Sequence, residues 1–412
     1  MKAIKSTLLT SLALIGAAAA AGGQGFRTDI NPALRYYQAL ILAPDLSPAD
    51  RDYLFQTEWR GQKLPERFGQ LVTNYDKEFR AVREAGQATV PCDWGIDMSP
   101  GPETLLPHLG RLKSVAVTAK LRVLWELQNG NESEARDDLL ATFALGRNAS
   151  KDGTLIAVLV QIAIENIALN TVAENFHSFS AETLRQLADG FDAAPAGNSV
   201  ADAIAGGEKA CFHDWLERKI LQWQKENPGE DAKVMAKLRE LLARMGAPDE
   251  SNQLQAVIAA PGTSEGVLKL VRDQDRISQR AAEILALRHP AFEEQAKEFQ
   301  AEIEKSDPLA ALTFPPILKA RPKEFRTEAK LAMLHAAVAY KLHGQEGLCS
   351  VNDPFGQGPF QFERFVFEGV DRGFRLTSAY AGNGYPETVI FVESEGTPFL
   401  CDGPKAGQPL AK

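Results

Sequence analysis

The chain has 412 residues, 44% of them apolar and 24% charged, an ordinary balance for a globular protein with a sizeable core and length enough for two or three domains. Its formal net charge is −9 and it carries no basic cluster, which argues against nucleic acid or an anionic membrane as partner. It contains no C-x-x-C, no H-E-x-x-H and no glycine-rich phosphate loop, so no cofactor or metal is expected.

The opening residues MKAIKSTLLTSLALIGAAAAAGG set Lys2 and Lys5 ahead of an apolar run that ends on Ala19-x-Ala21. This is the pattern of a cleavable secretory signal over residues 1–21. Its removal takes two lysines and moves the net charge from −9 to −11. The expected location is periplasmic or secreted, with no membrane span after cleavage. Four cysteines in an oxidising compartment favour bridges, expected as Cys349 with Cys401 and Cys92 with Cys211.

Residues 22–306 read as an α-helical domain. Asn31-Pro32 and Ser47-Pro48 each place a capping side chain before a proline in the first turn. Residues 65–85 predict one amphipathic helix with Phe68, Leu71, Val72, Tyr75 and Phe79 inward. Trp94, in the proline- and glycine-rich loop that follows, is expected as a lid over the core. His108, beside Pro107 at the next helix start, is a candidate cleft residue. Residues 109–128 and 132–147 predict an antiparallel hairpin about Gly130 that is locally tetratricopeptide-like, without a period of ~34 residues repeating along the chain.

Residues 154–173 are apolar on every side of the helical wheel, which marks a buried or membrane-spanning helix. Gln161, Glu165, Asn166 and Asn170 lie in its middle and favour enclosure by protein. A buried carboxylate needs a partner or a proton. Short antiparallel turns set Glu165 opposite Arg136, and Arg136 across from Trp125. The expectation is a polar cluster of Trp125, Arg136, Gln161 and Glu165. It acts either as an ion pair that fixes helix register or as the pocket of a small-ligand binding protein or enzyme.

Further helices are expected over 180–190, 199–226, 231–245, 250–260 and 265–300, the last broken at His289-Pro290. Within 199–226, α-helical spacing pairs His213 with Glu217 and Asp214 with Arg218 on the surface. Gly262 to Gly266 fits the G-x-S-x-G pattern, but no alternating strands and helices surround it, so Thr263 or Ser264 reads as a helix cap. Pro308, Pro315, Pro316 and Pro322 mark 307–323 as a stiff linker. Beyond it, 324–412 predicts a small α+β module. A helix over 327–342, with His335 on its apolar stripe, precedes three strands of an antiparallel meander.

The run Asp353-Pro354-Phe355-Gly356, with Phe360 and Phe362 after it, resembles the globular part of type II secretion pseudopilins. The resemblance implies a helix leading through this turn into the meander. The polymerising N-terminal helix and the acidic calcium-binding run of that family have no counterpart here, so neither pilus assembly nor calcium is implied. The stretches NPALRYYQALILAPDLS, PCDWGIDMSPGP and DGTLIAVLVQIAIEN, within 31–215, resemble uncharacterised exported bacterial proteins and imply export and a helical domain. The expected fold is mainly α, an antiparallel helical-hairpin domain plus the C-terminal α+β module. The expected function is a non-enzymatic interaction or scaffold protein whose partner is an envelope or extracellular protein.

Overall fold

A computed structural model describes residues 29–243, 256, 260–306 and 308–410. The expected signal segment, and nearly all of the expected helix 250–260, lie outside these residues. The architecture is mainly helical with one small antiparallel sheet near the C-terminus, as the periodicity implies.

Helix α1 (Pro32–Leu42) starts where the Asn31 side chain accepts the Ala33 N–H at 3.0 Å. Helix α2 (Pro48–Phe55) starts where Ser47 accepts the Asp50 N–H at 3.1 Å. The single helix expected over 65–85 is two, α3 (Glu66–Thr73) and α4 (Asp76–Gly86), with the break at Asn74-Tyr75. Phe68, Val72, Tyr75 and Phe79 enter one hydrophobic cluster in spite of the break.

Three long antiparallel helices follow: α5 (Pro107–Gln128), α6 (Glu132–Ala149) and α7 (Leu155–Glu174). The turns between them use Gly130 and Gly153 at positive φ, a conformation that favours glycine. Helix α7 is long and apolar enough to cross a membrane, yet it is mostly buried inside the protein. Ile164 joins one hydrophobic cluster, Ala168, Leu169, Val172 and Ala173 a second, and Val158 and Ile162 a third. The main helical layers therefore share α7 as their common wall.

Helix α8 (Ala181–Asp192) packs on α6, Phe191 stacking on Phe143 at 4.5 Å. The single helix expected over 199–226 is interrupted. A short α9 (Val200–Ala203) runs into a ten-residue π-helix (Ile204–His213), which continues as α10 (Asp214–Glu226). Then come α11 (Asp231–Ala243), α12 (Ser264–Leu285) and α13 (Ala291–Ser306). Thr263 caps α12 by accepting the Gly266 N–H at 3.1 Å, while the Ser264 hydroxyl is buried between Asp231 and Gln224. The G-x-S-x-G run is thus a helix start, as read from the sequence.

The expected proline linker is a helix, α14 (Pro308–Leu318), with Pro315 and Pro316 inside it. Apolar residues between the prolines drive this: Leu309, Ala310, Phe314 and Leu318 are buried, and Phe314 meets Phe299 edge-on at 5.8 Å. Helix α15 (Arg321–Ser350) begins three residues after α14 ends and bends at Gly344, so the expected boundary at 324 falls within a helix. One cluster runs from Leu139, Phe143 and Phe191 to Phe374 and Phe391, tying the C-terminal strands to the main helices.

Strands β1 (Gln361–Phe367), β2 (Val370–Thr377) and β3 (Thr388–Val392) form the expected meander in the order β1-β2-β3. Phe362 lies opposite Leu376, and Leu376 opposite Val389. Ahead of them the Asp353 carboxylate organises the turn, accepting the Phe355 N–H at 3.0 Å, the Ala379 N–H at 2.6 Å and the Ser378 hydroxyl at 2.9 Å.

Candidate functional site

The polar cluster expected around Glu165 forms only in part. Glu165 is 2% exposed and Gln161, one turn earlier, hydrogen-bonds to it. Its ionic partner is Arg147, with Nε 2.6 Å from Oε1, rather than Arg136. The two groups are close but not aligned as a hydrogen bond. The Arg147 guanidinium also lies over the Phe143 ring at 5.2 Å. A 3-10 turn at Ser150–Asp152 extends α6 and shifts the point of chain reversal, so Gly146 rather than Arg136 meets the α7 backbone near Ile164. Arg136 turns away to Asp137 and Gln186, at 2.7 and 2.6 Å. Trp125 lies on the opposite flank of the hairpin, half-buried against Phe68 and Gly69.

The other polar residues of α7 are answered from far along the chain. The Asn166 side chain donates to Thr327 at 2.9 Å and accepts from Lys330 at 2.9 Å, and Asn170 donates to Asp402 at 3.0 Å. A buried network that the sequence reading missed crosses the hairpin. Asp138, fully buried, takes Arg83 at 2.6 Å and Arg122 at 3.0 Å. Arg122 within the otherwise apolar LRVLW was its one signal.

His108 does not line a cleft. It is 2% exposed and stacked at 4.6 Å on Trp94, which stacks in turn on Tyr36 and donates its indole N–H to the Asn148 carbonyl at 2.7 Å. Trp94 is a lid over the core, as expected. The His108 Nε2 lies 3.4 Å from Asp152, whose other oxygen accepts the Thr154 N–H and hydroxyl at the start of α7. Neither expected disulfide forms, and all four thiols are free. Cys211 lies against the Met98 thioether at 3.4 Å and Cys349 is exposed on α15, while Cys92 and Cys401 are buried apart. His335 is not a core histidine: it is half-buried and pairs with Asp192 at 3.1 Å.

A pocket stands instead on the π-helix. Gly206 and Gly207 open this segment, and Gly207 passes so close to Gly153 that an added Cβ would lie 2.2 Å from its carbonyl oxygen. A π-helix closes its backbone hydrogen bonds between residues five apart rather than four. Lys209 accordingly pairs with Asp214 at 3.4 Å, and with Asp275 of α12 at 3.4 Å. The surface pairs expected from α-helical spacing, His213 with Glu217 and Asp214 with Arg218, do not form; Glu217 binds Arg272 instead.

The widened turn faces a cavity of about 390 Å³ whose apolar walls include Ile204, Phe212, Phe314 and Ile317. Glu208, Cys211, His213 and Ser278 place polar groups in it. Glu208 is anchored, its Oε1 accepting the Leu155 N–H at 2.7 Å in the first turn of α7. Burial still holds its carboxyl above the usual range, with Asp152 adding to the rise. Burial pushes the Cys211 thiol up and the His213 imidazole down, and His213 Nδ1 lies 3.4 Å from the Ser278 hydroxyl. The site presents a thiol and a neutral imidazole, so it donates and accepts hydrogen bonds but offers no activated thiolate. The glycine pair within a helical stretch was the legible signal for it; nothing marked Ser278.

No family model, curated protein or solved structure matches the chain.

Proposed function

We propose that this is a binding protein for a small, mostly apolar organic molecule carrying one hydrogen-bonding head, held in the pocket over the π-helix. The observation that carries the reading is the convergence of Glu208, Cys211, His213 and Ser278 on an apolar cavity of about 390 Å³. Pockets of this size, apolar with a few placed polar groups, suit ligands of that class, and π-helical turns recur at functional sites. The raised thiol favours binding over nucleophilic chemistry. The N-terminal pattern of Lys2, Lys5, apolar run and Ala19-x-Ala21 supports placing the protein outside the cytoplasm.

Methyl-detected NMR against a panel of aromatic alcohols and amines tests it. Binding shifts the methyl signals of Ile204 and Ile317, and Thr313→Trp, which fills the cavity, abolishes the shifts. A panel that leaves both methyls unmoved refutes the reading.

A second reading, presentation of the C-terminal module to an envelope protein, draws on one feature. The α15 helix, the Asp353 turn and the meander follow in the order that the pseudopilin resemblance implies, and β1 lies at the sheet edge with Val366 56% exposed. An edge strand can accept a partner's strand. A photo-crosslinker at Val366 that captures no discrete envelope protein counts against it.

A further inference from the structure

A separate and larger cavity, about 680 Å³, opens between α1, α2, α4 and α5. Its walls hold one acid that the rest of the fold answers only in part, through the charge of Arg122. Glu78 is 3% exposed, and its Oε2 makes no hydrogen bond to the described residues. Tyr75 and Thr118 also line the cavity and bring hydroxyls toward the same end. Leu40, Leu46, Phe55 and Val115 add apolar wall. At the mouth stand Arg51, Arg111 and Lys113, all exposed, against the single acid Asp52.

We infer that this cavity binds an ω-amino carboxylate, its ammonium group on Glu78 and its carboxylate among Arg51, Arg111 and Lys113, with a short alkyl body between. The two ends call for opposite charges. A buried carboxylate oxygen without a partner is best satisfied by a cationic donor, since hydrogen bonds to ionised groups are the strong ones. A simple cation would meet a mouth of net positive charge, whereas a zwitterion answers both ends. The apolar belt suits methylenes and gives no polar partner to a hydroxylated chain. Burial pushes the Glu78 carboxyl up to about 7, so an approaching ammonium also draws the group into its charged form.

Isothermal titration of the full chain with β-alanine, 4-aminobutyrate and 6-aminohexanoate tests the assignment, with hexanoate and hexylammonium as single-headed controls. At least one ω-amino acid binds, and both controls bind about tenfold more weakly or worse. Glu78→Gln, isosteric and uncharged, weakens binding by about tenfold or more. Ser114→Trp at the exposed mouth blocks entry without touching Glu78, and decides the matter should E78Q fail to fold. Thr313→Trp, in the π-helix pocket, leaves binding unchanged and so separates the two sites. The inference falls if no ω-amino acid binds the wild type, if a control binds as tightly as the zwitterions, or if E78Q or S114W folds and binds like the wild type.

Discussion

Glu165 on α7 and Glu78 on α4 share nearly every local property and differ in what stands before them. Both are 2–3% exposed, and burial pushes both carboxyls up to about 7. Glu165 has Arg147 at 2.6 Å and lines neither of the cavities described above. Glu78 has an unanswered oxygen and about 680 Å³ of space in front of it. Burial and a raised pKa mark a constrained acid; open space beside an unsatisfied atom marks a binding one.

The paired side of this contrast has an extreme in Asp138, and it predicts the largest effect. Asp138→Ala takes from Arg83 and Arg122 the one fully buried acid they share, leaving each a more exposed partner, Glu134 and Asp76, and lowers the unfolding free energy by about 4 kcal/mol, read from urea denaturation. Glu165→Ala leaves Arg147 and Gln161 without their partner and lowers it by about 3 kcal/mol. A loss below about 1 kcal/mol would move Glu165 to the same side as Glu78.

Glu78→Gln should go the other way at high pH. The folded carboxyl titrates near 7 and the unfolded one near 4.5. Between those values the folded chain keeps a proton that the unfolded chain has released. Stability therefore declines as pH rises through that window and levels off above it. The charged group that bears on this titration is Arg122, which favours the ionised form, while Glu78 in turn raises the Tyr75 hydroxyl. The glutamine variant loses this contribution to the slope, nearly equals the wild type at pH 4, and is more stable at pH 8 by about 3 kcal/mol. Thermal unfolding at the two pH values measures it, and a variant weaker at pH 8 would show that the carboxylate is satisfied after all.

The smallest effect belongs to the π-helix pocket, where the Ser278 hydroxyl has one long contact, to His213. Ser278→Ala should change stability by about 1 kcal/mol or less, because its hydroxyl is only 3.4 Å from His213. The same change should weaken capture of any ligand found by NMR. A larger stability loss would make Ser278 a structural strut.

Periodicity carried the helical architecture, the meander and the central place of α7, because those depend on local spacing. The enclosure of Glu165, Asn166 and Asn170 was legible for the same reason: polar groups in the middle of a helix apolar all round must be answered. Who answers them was not. Thr327, Lys330 and Asp402 lie beyond any register argument, and the 3-10 turn at Ser150–Asp152 replaced Arg136 with Arg147. The linker reading failed because four prolines outweighed the apolar residues between them, which pack and carry a helix through Pro315 and Pro316. Neither cavity was expected from the sequence. Glu78 looks like any surface acid of an amphipathic helix, and α-helical spacing hid the π-helix that gathers Glu208, Cys211 and His213.

The hydrogen bond from Asn170 to Asp402 spans 232 positions. Ribosomes deliver the chain from its N-terminus, so α7 emerges long before the residue that completes its surroundings. Until Asp402 is made, the membrane-length apolar helix lacks the acceptor for its Asn170 amide. A chain without Asp402 lacks that acceptor, so the surroundings of α7 depend on a segment far along the sequence.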